Sequence, residues 1–267
     1  MKKSILMVAV LLATGFTQAS ESAHGSSALA PNVEKAAEKA PPAKHGAHWA
    51  YAGETGPSNW AKLSPDNYQC AGKNQSPVNL TGFIEADLRP IEFKYDTGIN
   101  DVLNNGHTIQ VNYAKGSSIK LDGQTFNLIQ MHFHAPSENQ IRGKSYPLEG
   151  HLVHADKDGN LAVIAVMYNI GAENAGLAKV WSQMPTQAGE KKPLGGKLLA
   201  NDLMPATRDY YRFNGSLTTP PCSEGVRWLV LKAAGTASKG QVDAFAKLMK
   251  HGNNRPLQAA NARPILE

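Results

Sequence analysis

Short runs of alternating apolar and polar residues dominate this chain, and they constrain its fold more than any other feature. A strand places successive side chains on opposite faces of a sheet, so each run can bury one face. Glycine, asparagine and aspartate separate the runs, as turns between strands require. The pattern predicts a β-dominated fold with strands over residues 108–113, 125–133, 151–154, 161–168 and 227–232.

Two segments have helical periodicity instead, residues 172–183 and 238–249. In the second, Ser238 and Gln241 have the spacing of a capping box, in which each side chain accepts from the backbone N–H of the other residue. Two helices among many strands indicate peripheral additions. We therefore expect a β-dominated α+β fold.

The first 45 residues differ in composition from the rest of the chain. Residues 1–19 have two lysines, an apolar run and small residues up to Ala19, which predicts a secretory signal peptide. A membrane anchor is the alternative, but the apolar run is shorter than the roughly 20 residues that a span needs. Residues 20–45 are polar and alanine-rich, which predicts a flexible linker. We expect one domain over residues 46–267, in the periplasm or outside the cell, without membrane contact after signal removal.

The charge distribution argues against a nucleic-acid partner. Only 18% of the residues are charged, and the formal net charge of +5 is dispersed along the chain. A nucleic-acid-binding protein would concentrate its lysines and arginines on one surface.

The two cysteines, Cys70 and Cys222, would be exported into an oxidising compartment. We expect a structural disulfide between them, with two buried thiols as the alternative. On the chain-entropy model, a bridge closing so long a loop contributes several kcal/mol of stability.

The stretch QMHFH places two histidines in a predicted strand. Gln130, His132 and His134 project from one face, since residues two apart share a side. Two imidazoles about 7 Å apart along a strand can bind one ion when the strand twists. Two unrelated core or surface histidines are the alternative interpretation.

The stretch EGHLVH offers a third imidazole. Alternation puts Glu149, His151 and Val153 on one face and His154 on the other, where a structural role is expected. Three neutral histidines leave the fourth tetrahedral position of zinc open, as catalytic sites require. Gln130 and Glu149 are spaced to accept the second N–H of His132 and His151.

Eight segments together resemble the alpha-class carbonic anhydrases of the exported bacterial type. In family order they cover most of residues 46–267: HWAY (48–51), KNQSPVNL (73–80), LNNGH (103–107), IQMHFHAPSEN (129–139), EGHLVH (149–154), DGNLAVIAV (158–166), YYRFNGSLTTPPCSEGVRWLVL (210–231) and NNRPLQ (253–258). The resemblance implies a single domain around a twisted, mostly antiparallel sheet of about ten strands.

The resemblance also implies an activity, the reversible hydration of CO2 to bicarbonate and a proton by a lyase. By position, His132, His134 and His151 are the Zn²⁺ ligands. Zinc lowers the pKa of its bound water to about 7, so zinc-bound hydroxide can attack CO2 at neutral pH. The implied partner is this small-molecule substrate. We expect the protein to be a monomer or a homodimer.

The family pattern assigns roles to further residues that are otherwise unremarkable. Thr218 is implied as a catalytic gate that donates to Glu138, and Thr219 as a contact for bicarbonate; by themselves they are loop hydroxyls. An apolar CO2 pocket is implied at four residues that would otherwise be core, namely Val153, Val163, Leu217 and Trp228.

His107 is implied as the group that exports the proton, a task for which an unperturbed pKa of about 6.5 is suited. Strand alternation would instead group His107 with Ile109 and Val111. The preceding Asn-Asn-Gly is a turn signal, so we expect His107 at an irregular strand entry.

Two other functions compete with CO2 hydration. The same metal site could serve as an esterase or hydrolase on a small acyl substrate. A non-catalytic binding module is the other alternative, and the presence of all three histidines argues against it.

Overall fold

The computed structural model describes residues 48–194 and 198–267, so the predicted signal peptide and linker lie outside the described residues. No helix in the described part is long and apolar enough to cross a bilayer. The helices are α1 Trp60–Leu63, α2 Ala175–Ser182 and α3 Lys239–Met249, with 3₁₀ turns at Gly53–Thr55, Pro65–Ala71 and Ala200–Leu203. The strands are β1 Asn79–Leu80, β2 Glu92–Lys94, β3 Ile99–Asn104, β4 Ile109–Tyr113, β5 Ser118–Leu121, β6 Gln124–His134, β7 Gln140–Ile141, β8 Leu148–Ala155, β9 Leu161–Ile170, β10 Lys191–Pro193, β11 Tyr210–Ser216, β12 Glu224–Leu231 and β13 Gly235–Ala237.

Eleven of the described strands form one large mixed sheet in the order β10-β3-β4-β6-β8-β9-β12-β11, with β2, β5 and β13 attached beside that path. Most neighbours are antiparallel, while β12 and β13 run parallel to β9. A separate parallel pair joins β1 to β7. The β-dominated fold and the mostly antiparallel sheet are therefore confirmed, with eleven strands where about ten were expected.

The central strands β8 and β9 are buried on both faces. They lie between two apolar cores, one on each face of the sheet. Leu152 and Ile164 face the larger core, whereas Val153 and Val163 face the smaller one. Fully burying one such side chain contributes roughly 1.5–3 kcal/mol. The site described below lies on the side of the smaller core.

The capping box of α3 is present, and it also fixes the start of α2. The Gln241 N–H donates to Ser238 Oγ at 3.2 Å, and the Ser238 N–H donates to Gln241 Oε1 at 3.0 Å. The same amide exchanges hydrogen bonds with the main chain of Asn174, whose side chain caps Leu177. Helix α2 therefore begins at Ala175, three residues later than the periodicity predicted.

The predicted disulfide is confirmed between Cys70 and Cys222, which are 152 residues apart in sequence. Both cysteines pack in a small apolar cluster around the fully buried Trp60. The bridge joins the 3₁₀ segment Pro65–Ala71 to the loop that connects β11 and β12.

Candidate active site

The pairing of β6 with β8 brings the three predicted histidines together. His132 lies directly opposite His151 in the register, and His134 follows two residues later on the same face. On the opposite face of the two strands, Gly150 leaves room for the side chains of Met131 and Phe133, which a Cβ there would approach to 2.5 and 3.3 Å. One ring nitrogen from each of the three histidines lies within 4.8 Å of the others.

Each imidazole has its other ring nitrogen engaged by an oxygen. His132 Nδ1 donates to Gln130 Oε1 at 2.9 Å, and His134 Nδ1 donates to the main-chain oxygen of Asn253 at 2.7 Å. His151 Nε2 donates to a Glu149 carboxylate oxygen at 2.8 Å. These contacts fix the tautomers, leaving Nε2 of the first two rings and Nδ1 of the third as acceptors.

The three histidines fit a zinc ion. Burial lowers the pKa of each imidazole below its usual value of 6.5, so all three are neutral, as metal ligation requires. His134 Nε2 is buried and has no hydrogen-bond partner among the described residues. Three nitrogen donors with one open tetrahedral position match a catalytic zinc site.

The Glu149 carboxylate accepts four hydrogen bonds and is fully buried. Besides His151, it accepts from the side chain and the N–H of Asn139 and from the N–H of Glu138, at 2.7–2.9 Å. Burial raises the pKa of this carboxyl, and the hydrogen bonds from Asn139 oppose that shift. A divalent cation beside His151 would further favour the ionised form.

Glu138 lies beside the same histidines and close to Thr218. Its Oε1 accepts from the Arg255 N–H at 2.8 Å, and its Oε2 lies 3.5 Å from His134 Nε2 and 3.9 Å from His151 Nδ1. Burial raises the pKa of Glu138, opposed by the Arg255 N–H and by the Thr218 hydroxyl. Thr218 is itself buried. The structure thus brings the predicted pair together beside the three imidazoles.

A small cavity of about 30 Å³ opens beside the histidines. A single water needs roughly 10–15 Å³, so the cavity has room for a very small molecule. All four residues predicted for the apolar pocket line it, together with both predicted threonines and two of the histidines: Val153, Val163, Leu217, Trp228, Thr218, Thr219, His132 and His151.

His107 lies in the turn between β3 and β4, before the strand begins at Ile109. The alternation of side-chain directions along a strand therefore does not apply to His107. The Asn105 side chain accepts from the His107 N–H at 2.9 Å, and the imidazole stacks on Trp49 with ring centres 3.7 Å apart. Burial, with smaller contributions from His48 and His251, lowers the pKa of His107 from 6.5.

His154 lies on the opposite face of β8 and does not join the three histidines. The Tyr95 hydroxyl donates to its Nε2 at 2.7 Å, and its Nδ1 donates to the Ala162 oxygen at 3.3 Å. Burial lowers the pKa of His154 to about 4. It is a neutral histidine with both nitrogens satisfied in the core.

Asn253 is one of the site residues that the sequence patterns did not indicate. Its main-chain oxygen accepts from His134, and its side-chain oxygen accepts from the Ala135 N–H at 2.9 Å. Its amide also donates to the oxygens of His107 and Phe133. The contact to His134 is made by a main-chain atom in a loop, so no side-chain pattern could indicate it.

Comparisons with known proteins agree with this geometry. The family model of the eukaryotic-type carbonic anhydrases matches residues 55–267. A carbonic anhydrase of Pectobacterium carotovorum is 49% identical over 220 residues, covering 82% of this chain and 90% of that protein. One from Neisseria gonorrhoeae is 46% identical over 229 residues, covering 84% and 90%. The solved alpha-carbonic anhydrase of Thermovibrio ammonificans, in complex with the inhibitor sulfanilamide, is 47% identical with a TM-score of 0.82, covering 83% of this chain and all of that one.

Proposed function

Because this chain belongs to the alpha carbonic anhydrase family and is an enzyme of that family, we propose that it hydrates CO2 reversibly to bicarbonate and a proton, with one zinc ion as cofactor. The observation that carries the proposal is the convergence of three neutral imidazoles beside a small, largely apolar cavity. An acyl hydrolase would need space for a larger substrate at the same place.

Three ring nitrogens would hold the zinc: Nε2 of His132, Nε2 of His134 and Nδ1 of His151. Their second nitrogens are held by Gln130, Asn253 and Glu149, so the three rings are oriented before any metal binds. When bound, zinc is a Lewis acid that lowers the pKa of a coordinated water to about 7 and so supplies a nucleophile at neutral pH.

Glu138 and Thr218 would control what occupies the open metal position. With a divalent cation beside it, Glu138 would be ionised despite its burial. An ionised carboxylate can only accept hydrogen bonds, so the Thr218 hydroxyl must donate to it. The threonine oxygen can then only accept a hydrogen bond. It therefore favours a group at the open metal position that has a proton to donate, and it disfavours a group that has none. The pair would thus act as a gate, and it would also orient the attacking group toward the substrate carbon.

The cavity beside the gate would receive CO2. Val153, Val163, Leu217 and Trp228 present apolar surface, which suits an uncharged substrate and keeps water from filling the attack position. Thr219, on the same wall, would contact the charged product. Bicarbonate fits this apolar wall less well than CO2, because its charge loses solvation there.

His107 would carry the proton from the site to buffer. Its imidazole is half-buried in the turn between β3 and β4, so it can exchange protons with the solvent. Its lowered pKa keeps it neutral, and therefore able to accept a proton, at neutral pH.

We also propose export to the periplasm. The Cys70–Cys222 disulfide supports an oxidising compartment. The signal-peptide pattern of residues 1–19 supports the same location, and signal cleavage can be read from the N-terminal sequence of the protein purified from cells.

Rates on two substrates test the proposal against the hydrolase alternative. We expect CO2 hydration by the zinc-loaded enzyme to exceed hydrolysis of an activated ester by far, and His132→Ala to lose zinc and activity together. Ester turnover far above CO2 hydration would overturn the proposed reaction, and full activity in His132→Ala would overturn the ligand assignment. His251→Ala, an exposed histidine outside the ligand set, is the matched control.

A further inference from the structure

The guanidinium of Arg255 is buried and held by three acceptors on one short segment. Arg255 is 2% exposed, and its Nη1 donates to Gln75 Oε1 and to the Ser76 oxygen, each at 2.8 Å. Its Nη2 donates to the Cys70 oxygen at 3.1 Å, and its guanidinium carbon lies 5.4 Å from the centre of the Trp60 ring. Because the guanidinium is a rigid plane of donors, these contacts fix its position against residues 70–76.

The main chain of the same residue holds the Glu138 carboxyl. The Arg255 N–H donates to Glu138 Oε1 at 2.8 Å, across 117 residues of sequence. A carboxyl group is planar, so fixing Oε1 also fixes the direction of Oε2. That second oxygen lies 3.5 Å from His134 Nε2, on the side of the candidate metal site.

The segment that holds Arg255 also holds the loop that contains Thr218. The Gln75 amide donates to the Cys222 oxygen at 3.1 Å, and a disulfide joins Cys222 to the same segment. At the other end of the loop, the N–H groups of Ser76 and Ser216 each donate to the hydroxyl of the other residue, at 2.9 and 3.1 Å. Residues 217–221 are thus anchored on both sides.

We propose that Arg255 is a positioning residue for the reaction. It ties Glu138 to residues 70–76, the segment that also anchors the loop of Thr218, and so sets the geometry between Glu138 and Thr218. The inference rests on the proposed function of these two residues as the gate. Lysine keeps the charge but cannot reproduce a planar fork to three acceptors, so it replaces Arg255 only in part.

The test compares Arg255→Met and Arg255→Lys with a matched control. Arg263 is suitable, since it donates to four main-chain oxygens, one of them that of Gln75 at 2.9 Å, and makes no hydrogen bond to Glu138. In zinc-loaded protein we expect Arg255→Met to lower kcat/KM for CO2 roughly 10- to 100-fold, the range that small misplacements of reacting groups produce. The kcat/KM of Arg255→Lys should lie between those of Arg255→Met and the wild type. The kcat/KM of Arg263→Met should remain near that of the wild type.

Anion binding gives a second readout that a purely structural role would not change. Thiocyanate has no proton to donate, so a correctly set gate disfavours it at the open metal position. With cobalt(II) in place of zinc, binding can be followed in the visible spectrum without turnover. We expect Arg255→Met to bind thiocyanate roughly tenfold more tightly, about the factor expected of one hydrogen bond, at an unchanged ratio of metal to protein.

The decisive comparison introduces Arg255→Met into a Thr218→Val background. Without the gate hydroxyl, Arg255→Met should change kcat/KM and thiocyanate affinity by less than about twofold, because coupled residues are not additive. If Arg255→Met changes kcat/KM and thiocyanate affinity by equal factors in the wild-type and Thr218→Val backgrounds, the proposal for Arg255 is overturned and the gate is left intact. A Thr218→Val enzyme with wild-type kcat/KM and anion binding would instead overturn the gate itself. If Arg255→Met does not fold, Arg255→Lys decides, and wild-type values for it in both readouts would refute the positioning role.

Discussion

A carboxylate oxygen of Glu149 lies 2.8 Å from Nε2 of His151, and this contact determines which nitrogen of that imidazole faces the other two histidines. With Nε2 engaged, Nδ1 is the free acceptor, 3.9 Å from Glu138. His132 and His134 are oriented in the opposite sense, since their Nδ1 atoms are engaged. The tautomers of the three rings are thus set by their hydrogen-bond partners.

Weakening that contact should weaken zinc binding. Glu149→Gln keeps the shape of the side chain but replaces a charged acceptor with a neutral amide, and we expect the zinc dissociation constant to rise roughly 10- to 100-fold. Competition with a chelator of known affinity measures it. Exposed Glu173 provides the control as Glu173→Gln, and wild-type affinity in Glu149→Gln would show that the contact does not support the metal site.

Removing His107 should affect proton export and leave the hydration step nearly unchanged. We expect His107→Ala to lower kcat in weak buffer, to leave kcat/KM close to the wild type, and to recover part of kcat on addition of imidazole. Because the acceptor must be neutral and burial lowers its pKa, wild-type kcat in weak buffer should rise through an apparent pKa below 6.5. Unchanged kcat in the variant at low buffer would remove the shuttle role.

The disulfide should contribute substantially to stability. For a separation of 152 residues the chain-entropy model gives about 5 kcal/mol. We expect the double substitution Cys70→Ser with Cys222→Ser to lower the free energy of unfolding by several kcal/mol, as measured by equilibrium denaturation at one zinc concentration. A loss below about 1 kcal/mol would contradict an entropic role for the bridge.

His154 should make the fold sensitive to acid. Its pKa is about 4 in the folded protein and about 6.5 in the unfolded chain. The unfolded chain therefore binds the proton first, and stability falls as the pH drops from 6.5 toward 4. The full effect is on the order of 3 kcal/mol. Comparing the pH dependence of unfolding in the wild type and in His154→Leu isolates it, and identical slopes in the two proteins would refute this assignment.

Strand alternation was enough to predict the faces of the central histidines. Gln130, His132 and His134 share one face, and His154 lies apart from His151, because side-chain direction in a strand is a local property. The α3 capping box was predictable for the same reason, since both partners lie within one turn.

The rest of the site depends on contacts that no local pattern contains. Glu138 follows β6, and Thr218 lies between β11 and β12, so the two meet through the order of the strands in the sheet, which runs β6-β8-β9-β12-β11. The acceptor for His134 is a main-chain oxygen of Asn253. For Thr218 and Glu138 the sequence offered only a family resemblance, and for Asn253 and Arg255 it offered no role.

Stopped-flow measurement of CO2 hydration during zinc titration of metal-free protein tests whether the chain is a zinc-dependent carbonic anhydrase. We predict a rate at the uncatalysed background without metal, which rises in proportion to added zinc and reaches its plateau at one zinc per chain. Full hydration activity in metal-free protein, or zinc bound at one per chain without activity, would contradict zinc-dependent CO2 hydration.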